Sequence, residues 1–328
     1  MEKTTVLEFL QQNLQSVEQV LTQLKVLSEP KGLYEPVSYI LDSKGKRLRP
    51  QLTLAAADAF SGDRDVAVQV GTAMEVFHIF TLVHDDIMDK AETRRGRTTI
   101  HTKWDEATAI LVGDYLMGKA GEMLLALPDQ QLRSGLERFS LTVRELCEGQ
   151  IRDMEFETSS NVSMDAYLQM IDQKTSALIK TSLILGGLTG NADKESLQHL
   201  DHIGFHMGRA FQIQDDLLDL TADSDDWGKP VGGDLMSGKK AYLLLEALRV
   251  ETTTGNSYFH RVAENGGLAS TEVDKAKHLL DEMGVLSSTQ NAVRHHSNEA
   301  LRLAKLLPES LGRLTIESLI EKMAVRSH

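Results

Sequence analysis

Two short stretches of the 328-residue chain concentrate carboxylates inside otherwise apolar sequence. HDDIMD carries Asp85, Asp86 and Asp89, and FQIQDDLLD carries Asp215, Asp216 and Asp219. On a helix, residues four apart lie about 40° apart in angle and about 6 Å apart along the axis, so Asp85 and Asp89 share a face that Asp86 flanks. The second set repeats that geometry. Three carboxylates on one helix repel one another, and FTLVH before the first set and the leucines within the second are not the company of a solvated face. Such clusters call for cations, and hard oxygen donors favour Mg²⁺. Basic residues form a second constellation: Lys46, Arg47 and Arg49 in GKRLRP, then Arg94, Arg95 and Arg97 shortly after Asp89. Guanidinium forks match phosphate oxygens, and lysine supplies a compact charge. The chain has 35 Lys+Arg against 48 Asp+Glu, a formal charge of −13. Basic clusters beside acidic ones in so acidic a protein suggest two anion sites, one bridged by metal and one bound directly. The plainer alternative for either basic cluster is an ordinary network of surface ion pairs.

Weaker candidates surround these. His78 lies seven residues before Asp85 on roughly the same face, where a lone histidine is more often a satisfied core residue. Lys174 and Thr175 open an apolar helical run, and Lys229, Lys239 and Lys240 fall in a glycine-containing segment. SGKK there is not a phosphate-binding P-loop, because the upstream glycines and the preceding strand are missing.

These side chains need long, stable elements to hold them. The six prolines stand at 30, 36, 50, 128, 230 and 308, leaving 51–127 and 129–229 free of them. Proline breaks helix interiors at a cost of about 3 kcal/mol, so stretches of that size suit long helices. Val6, Leu10, Leu14, Val17, Leu21 and Leu24 follow helical spacing, as do Val66, Val70, Ala73, Phe77 and Thr81, and a further run over about 195–222. No sustained alternation flanked by hairpin turns is present. The reading is all-α, one domain over 1–328, with breaks at 27–36, 60–65, 90–98, 222–234 and 263–270, and with Pro50 opening a helix. The acidic balance argues against nucleic acid and anionic lipid. A single cysteine, Cys147, no signal-like leader and no apolar run of the length needed to span a bilayer point to a soluble cytoplasmic protein.

Taken in order, GKRLRP, HDDIMD…RRG, GD at 113–114, KT at 174–175 and FQIQDDLLD resemble the trans-type isoprenyl diphosphate synthases, the polyprenyl synthetase family, over about residues 44–245. The resemblance implies a large helical bundle around a deep central pocket, a homodimer, and head-to-tail condensation of isopentenyl diphosphate with an allylic diphosphate (dimethylallyl, geranyl or farnesyl). It implies three Mg²⁺ ions, replaceable by Mn²⁺, with Asp85, Asp89 and Asp215 as main ligands and Asp86, Asp216 and Asp219 completing the catalytic aspartates. Arg94, Lys174, Thr175, Gln212, Lys229 and Lys239 would hold the allylic diphosphate; Lys46, Arg49, His78 and Arg95 would hold isopentenyl diphosphate without metal. The segment 222–240 would supply a lid. Departures from the family pattern are Thr98 and Leu243 where proline is usual and Ala241 where threonine is usual.

Product length is implied by the residues upstream of the first motif. Phe80, with Thr81 and Phe77 beside it and no insertion in the motif, resembles archaeal-type geranylgeranyl enzymes, favouring a C20 product over C15. On an ideal helical wheel Phe80 is about 140° from Asp85, so its place in the pocket rests on the resemblance. Two other readings fit less of the sequence. A class I terpene cyclase lacks a second, basic diphosphate site, and a non-catalytic regulatory subunit tends to lose one aspartate motif.

Overall fold

The computed structural model describes residues 2–25, 28–159, 161–222, 231–255 and 257–324. These are almost wholly helical: α1 Glu2–Gln23, α2 Lys31–Leu41, α3 Leu48–Ala59, α4 Arg64–Met88, α5 Ile100–Lys103, α6 Glu106–Met123, α7 Asp129–Thr158, α8 Met164–Ile171, α9 Ala177–Thr189 and α10 Lys194–Thr221. They continue with α11 Gly233–Met236, α12 Tyr242–Thr254, α13 Tyr258–Glu264, α14 Val273–Glu282, α15 Val285–Ala304 and α16 Leu311–Ala324. The one sheet among the described residues is a hairpin, β1 Thr93–Arg94 against β2 Arg97–Thr98. Arg95 and Gly96 at its tip have φ of 51° and 73°. Both being positive is the signature of a two-residue type I′ turn.

The helix starts follow local chemistry. Asp63 caps α4 by accepting the N–H groups of Asp65 and Val66 at 2.9 and 3.0 Å, Asp105 caps α6 through Thr108 at 2.7 Å, and Ser163 caps α8 through Ala166 at 3.1 Å. Each such cap stabilises its helix by about 1 kcal/mol. Two boundaries differ from the sequence reading. The expected break at 27–36 is largely α2, with Pro36 inside it; it lies past the first turn and gives up one helical hydrogen bond. Pro50 is the third residue of α3 and not its first, a position that still falls among the unpaired N–H groups of the opening turn.

The chain divides into two compact units. The first comprises Met1–Ser140, Thr181–Asp201 and Lys305–Ile316. Its centre is α4, where Val70, Ala73, Met74, Val76 and Phe77 have no exposed surface, packed by α3 and α6. Contrary to the sequence expectation, α4 is long and apolar enough to cross a bilayer, but 72% of its most apolar window is buried inside the fold, as for a core helix. The second unit comprises Leu141–Lys180, His202–Ala304 and Glu317–His328. Leu217, Leu220, Leu244, Phe259, Leu280 and Val285 form its larger core, and Tyr167, Met170, Ile171 and Leu245 a smaller one.

Candidate active site

Each unit carries one aspartate set, and each set sits near the C-terminal end of a long helix. Asp85 and Asp86 occupy the last turn of α4 and Asp89 caps it, its N–H bonded to the Asp85 carbonyl at 2.8 Å. Asp215, Asp216 and Asp219 occupy the last two turns of α10. Helix C-termini carry partial negative charge, so carboxylates there are disfavoured unless cations join them. Among the described residues no three acidic, histidine or cysteine side chains are gathered into a ready-made cage. The carboxylates of each set are hard oxygen donors of the kind Mg²⁺ takes, an ion usually held by one or two carboxylates together with substrate phosphates and water.

The six aspartates are not equivalent. Asp86 is 3% exposed and accepts Arg94 Nε at 2.5 Å from the hairpin; burial pushes its carboxyl up while Arg94 opposes. Asp89 is exposed and Asp85 half-buried. In the second set Asp216 is 5% exposed. It accepts the phenol of Tyr167, the Tyr242 N–H at 2.9 Å and Gln212 Nε2 at 3.1 Å. Burial, with Asp234 adding to it, nevertheless pushes its carboxyl up to about 7. Asp219 Oδ2 accepts the Asp234 N–H at 3.0 Å and so anchors α11.

The basic residues of the first unit separate just as sharply. Arg47, in the left-handed conformation at the N-cap of α3, turns inward. Its guanidinium bonds Glu75 and Glu18 at 2.8 Å each and the Ser43 carbonyl at 2.8 Å, so its role is structural. Arg49, by contrast, has a buried Nε without a hydrogen-bond partner; burial, against the pull of Glu75, draws its guanidinium down to about 10. Burial and then Arg49, Arg95, Arg94 and Arg47 hold His78 well below the usual histidine range, so its imidazole is neutral at pH 7. Arg95 donates Nη1 to the Lys44 carbonyl at 2.8 Å, tying the hairpin tip to the GKRLRP loop, while Lys46 is exposed. Phe80 is half-buried and stacks on fully buried Phe77, ring centroids 5.3 Å apart, and meets the His84 ring edge-on at 4.9 Å. Thr81 bonds back to the His78 carbonyl at 2.8 Å.

In the second unit Lys174 and Thr175 lie in a π-helical turn, Asp172–Ser176. Such turns recur at functional sites because they offset the side chains of an otherwise regular helix. Several neighbours hold this one in place. Arg209 grips Asp172 with two bonds of 2.8 and 2.7 Å, Lys174 Nζ meets Asp153 at 2.5 Å, and Thr175 Oγ1 donates to Gln212 Oε1 at 3.1 Å. A Cβ on Gly208 would stand 2.2 Å from Ser176 Oγ, and one on Gly149 2.6 Å from the Lys174 nitrogen, so only glycine lets α10 and α7 come this close. Lys239 is exposed at the rim of a cavity of about 320 Å³ lined also by Asp153, Phe156 and Lys240. Lys229 and the first part of the expected lid fall at 223–230, outside the described residues.

Sequence reasoning did not single out Glu75, Asp153, Tyr167, Asp172 or Arg209. Only Tyr167 had a signal: it precedes Lys174 by two helical turns, which puts the two near one face.

A family model described as Polyprenyl synthetase matches residues 30–283. The geranylgeranyl diphosphate synthase of Methanosarcina mazei is 32% identical over 326 residues, covering 99% of each chain. The geranylfarnesyl diphosphate synthase of Natronomonas pharaonis is 33% identical over 95% of this chain and 94% of its own. Among solved structures, geranylgeranyl pyrophosphate synthetase from Pyrococcus horikoshii matches with a TM-score of 0.90 at 34% identity over 99% of both chains.

Proposed function

The chain belongs to the polyprenyl synthetase family of trans-prenyltransferases, and from that membership we propose that it condenses isopentenyl diphosphate head-to-tail with an allylic diphosphate and stops at geranylgeranyl diphosphate, C20. The observation that carries the reading is the presence of two aspartate sets and of a separate group, the cations Arg49 and Arg95 with neutral His78 beside them, suited to a second diphosphate. A cyclase, which ionises one diphosphate and binds no other, has no use for that group.

Family members depend on Mg²⁺; Asp85, Asp89 and Asp215 are the carboxylates we assign to three such ions, with Mn²⁺ as a substitute. Bound Mg²⁺ supplies Lewis acidity toward the departing diphosphate. The protein's own groups do the rest. Arg94, oriented through Nε by Asp86, and Lys174, Thr175, Gln212, Lys229 and Lys239 receive the allylic diphosphate, and the cations among them neutralise the charge that develops as the allylic C–O bond breaks. Lys46, Arg49, Arg95 and the neutral, hydrogen-bonding His78 hold isopentenyl diphosphate while its double bond attacks the allylic carbon. Loss of one proton then completes the new prenyl unit. Water must stay away from the allylic cation, and Phe80 stacked on Phe77 closes the apolar path at C20 length.

We assign the whole chain to one catalytic domain that works in the cytoplasm as a homodimer. Ile110 and Leu111 on α6 and Leu125 just beyond it, 46%, 61% and 60% exposed, support the last point; light scattering at dimer mass tests it. The catalytic reading is tested by incubating the protein with isopentenyl diphosphate and each of dimethylallyl, geranyl and farnesyl diphosphate, with and without Mg²⁺, and sizing the dephosphorylated products by mass spectrometry. Mg²⁺-dependent elongation ending at C20 is expected. Consumption of the allylic substrate alone would mark a cyclase, and inertness a regulatory subunit.

A further inference from the structure

Asp216, the deepest carboxylate of the second set, is where three elements meet, with the π-turn joined to it through Gln212. Tyr167 of α8 donates its phenol to Oδ2, and the N–H of Tyr242, the first residue of α12, donates to the same oxygen. From within α10, Gln212 donates Nε2 to Oδ1 and accepts the Thr175 hydroxyl of the π-turn through Oε1. The Gln212 amide stands with its NH₂ group toward Asp216 and its oxygen toward Thr175. A continuous chain therefore runs Tyr167–Asp216–Gln212–Thr175, and the helix that follows Lys239 and Lys240 hangs from the same carboxylate. Tyr167 is 2% exposed and packed among Met170, Ile171 and Leu245. Its ring has nowhere to swing, and its hydroxyl is the rigid end of the chain.

We infer that Tyr167 is a positioning residue for the allylic half of the reaction: through Asp216 it sets where Gln212, Thr175 and the start of α12 stand. The inference rests on the proposed role of Thr175 and Gln212 as contacts of the allylic diphosphate. Without the phenol, Asp216 keeps two donors and is drawn toward them, carrying Gln212 along. A buried hydrogen bond and the placement it enforces are together worth about tenfold in rate. Isopentenyl diphosphate, assigned to Arg49, His78 and Arg95 in the first unit, is untouched.

The test is steady-state kinetics on the full chain carrying Tyr167→Phe, varying geranyl diphosphate and isopentenyl diphosphate in turn, with a melting curve alongside. Expected are a fall of about tenfold in kcat/KM for geranyl diphosphate, a KM for isopentenyl diphosphate within about twofold of the parent, and a small shift in Tm. Thr175→Val should show the same split, and the double variant should be no worse than the worse single one, because both cut one chain. Wild-type kinetics in Tyr167→Phe, equal losses toward both substrates, or losses that multiply in the double variant would overturn the inference. Should Tyr167→Phe not fold, Asp216→Asn, which spares the ring packing, must show the same substrate split or the inference fails. A parent chain that elongates nothing overturns the condensation reading and this inference together; an active parent with an unaltered Tyr167→Phe overturns the inference alone.

Discussion

Replacing Gly208 by alanine should disable the enzyme without unfolding it. The added Cβ would lie 2.2 Å from Ser176 Oγ and 2.5 Å from both Ser176 Cα and Cβ, whereas carbon atoms in good contact stand about 3.5–4.0 Å apart. Two of those three atoms are backbone or directly attached to it, so no rotamer change relieves the clash. The π-turn and α10 must separate by about 1 Å. Overpacking of this kind costs about 1–3 kcal/mol, and at about 2–4 °C per kcal/mol for a large domain Tm should fall by roughly 5 °C. The effect on turnover is larger, since Lys174 and Thr175 ride on the displaced turn and a misplacement of about 1 Å can cost on the order of 10²-fold. Gly32→Ala is the matched control: it is exposed, and nothing lies within 4 Å of its added carbon. The assay is condensation of geranyl diphosphate with isopentenyl diphosphate at saturation, beside melting curves by circular dichroism. If Gly208→Ala turns over and melts like Gly32→Ala, the close approach of α10 is not what places the π-turn.

Three further outcomes are expected. Glu75→Ala removes the buried one of the two carboxylates on the Arg47 guanidinium, whose side chain is 2% exposed, and leaves it the half-exposed Glu18; this should cost about 3 kcal/mol in urea unfolding, and a loss under about 1 kcal/mol would show that Glu18 alone suffices. Phe80→Ala should lengthen the product beyond C20 as sized by mass spectrometry, and an unchanged product would remove Phe80 as the floor. His296 is drawn down to about 4, chiefly by burial and then by His206, Arg209 and His295. Between pH 6.5 and 4 the unfolded chain therefore takes up a proton that the folded chain does not, and stability present above 6.5 is lost as the pH falls through that window. His296→Gln should shrink the drop in Tm between pH 7 and pH 5; parallel curves would refute the assignment.

Helical content, the two aspartate sets and their helical setting were legible because they depend on spacing within single segments. What separates Asp216 from its neighbours was not, since its partners Tyr167 and Tyr242 lie 49 and 26 residues away and only the packing of α8 and α12 brings them in. Arg47 and Arg49 were alike as composition, and only the family resemblance singled out Arg49. A φ of 48° at Arg47 sends one guanidinium to Glu75, and no local pattern announces it. The hairpin escaped notice for a simpler reason: strands of two residues are too short to show alternation. The π-turn has no sequence signature of its own and is visible only through Gly149 and Gly208, whose partners are distant in the chain.

The hairpin at 93–98 has the outward marks of a tolerant surface loop, being short, polar and largely exposed. Its register says otherwise. Thr93 pairs with Thr98 and Arg94 with Arg97, leaving a tip of only two residues, so the consecutive side chains Arg94 and Arg95 leave in different directions, one to Asp86 and the other to the Lys44 carbonyl. One added or deleted residue would break this two-residue turn and shift the register that now aims the two arginines. Length in this segment is therefore under tighter constraint than composition: divergent descendants of this chain are free to exchange Thr93 or Thr98 but not to gain or lose a position between them, and loop grafting or peptide-tag insertion here would separate two arginines that a single β-turn now distributes between Asp86 and the Lys44 carbonyl.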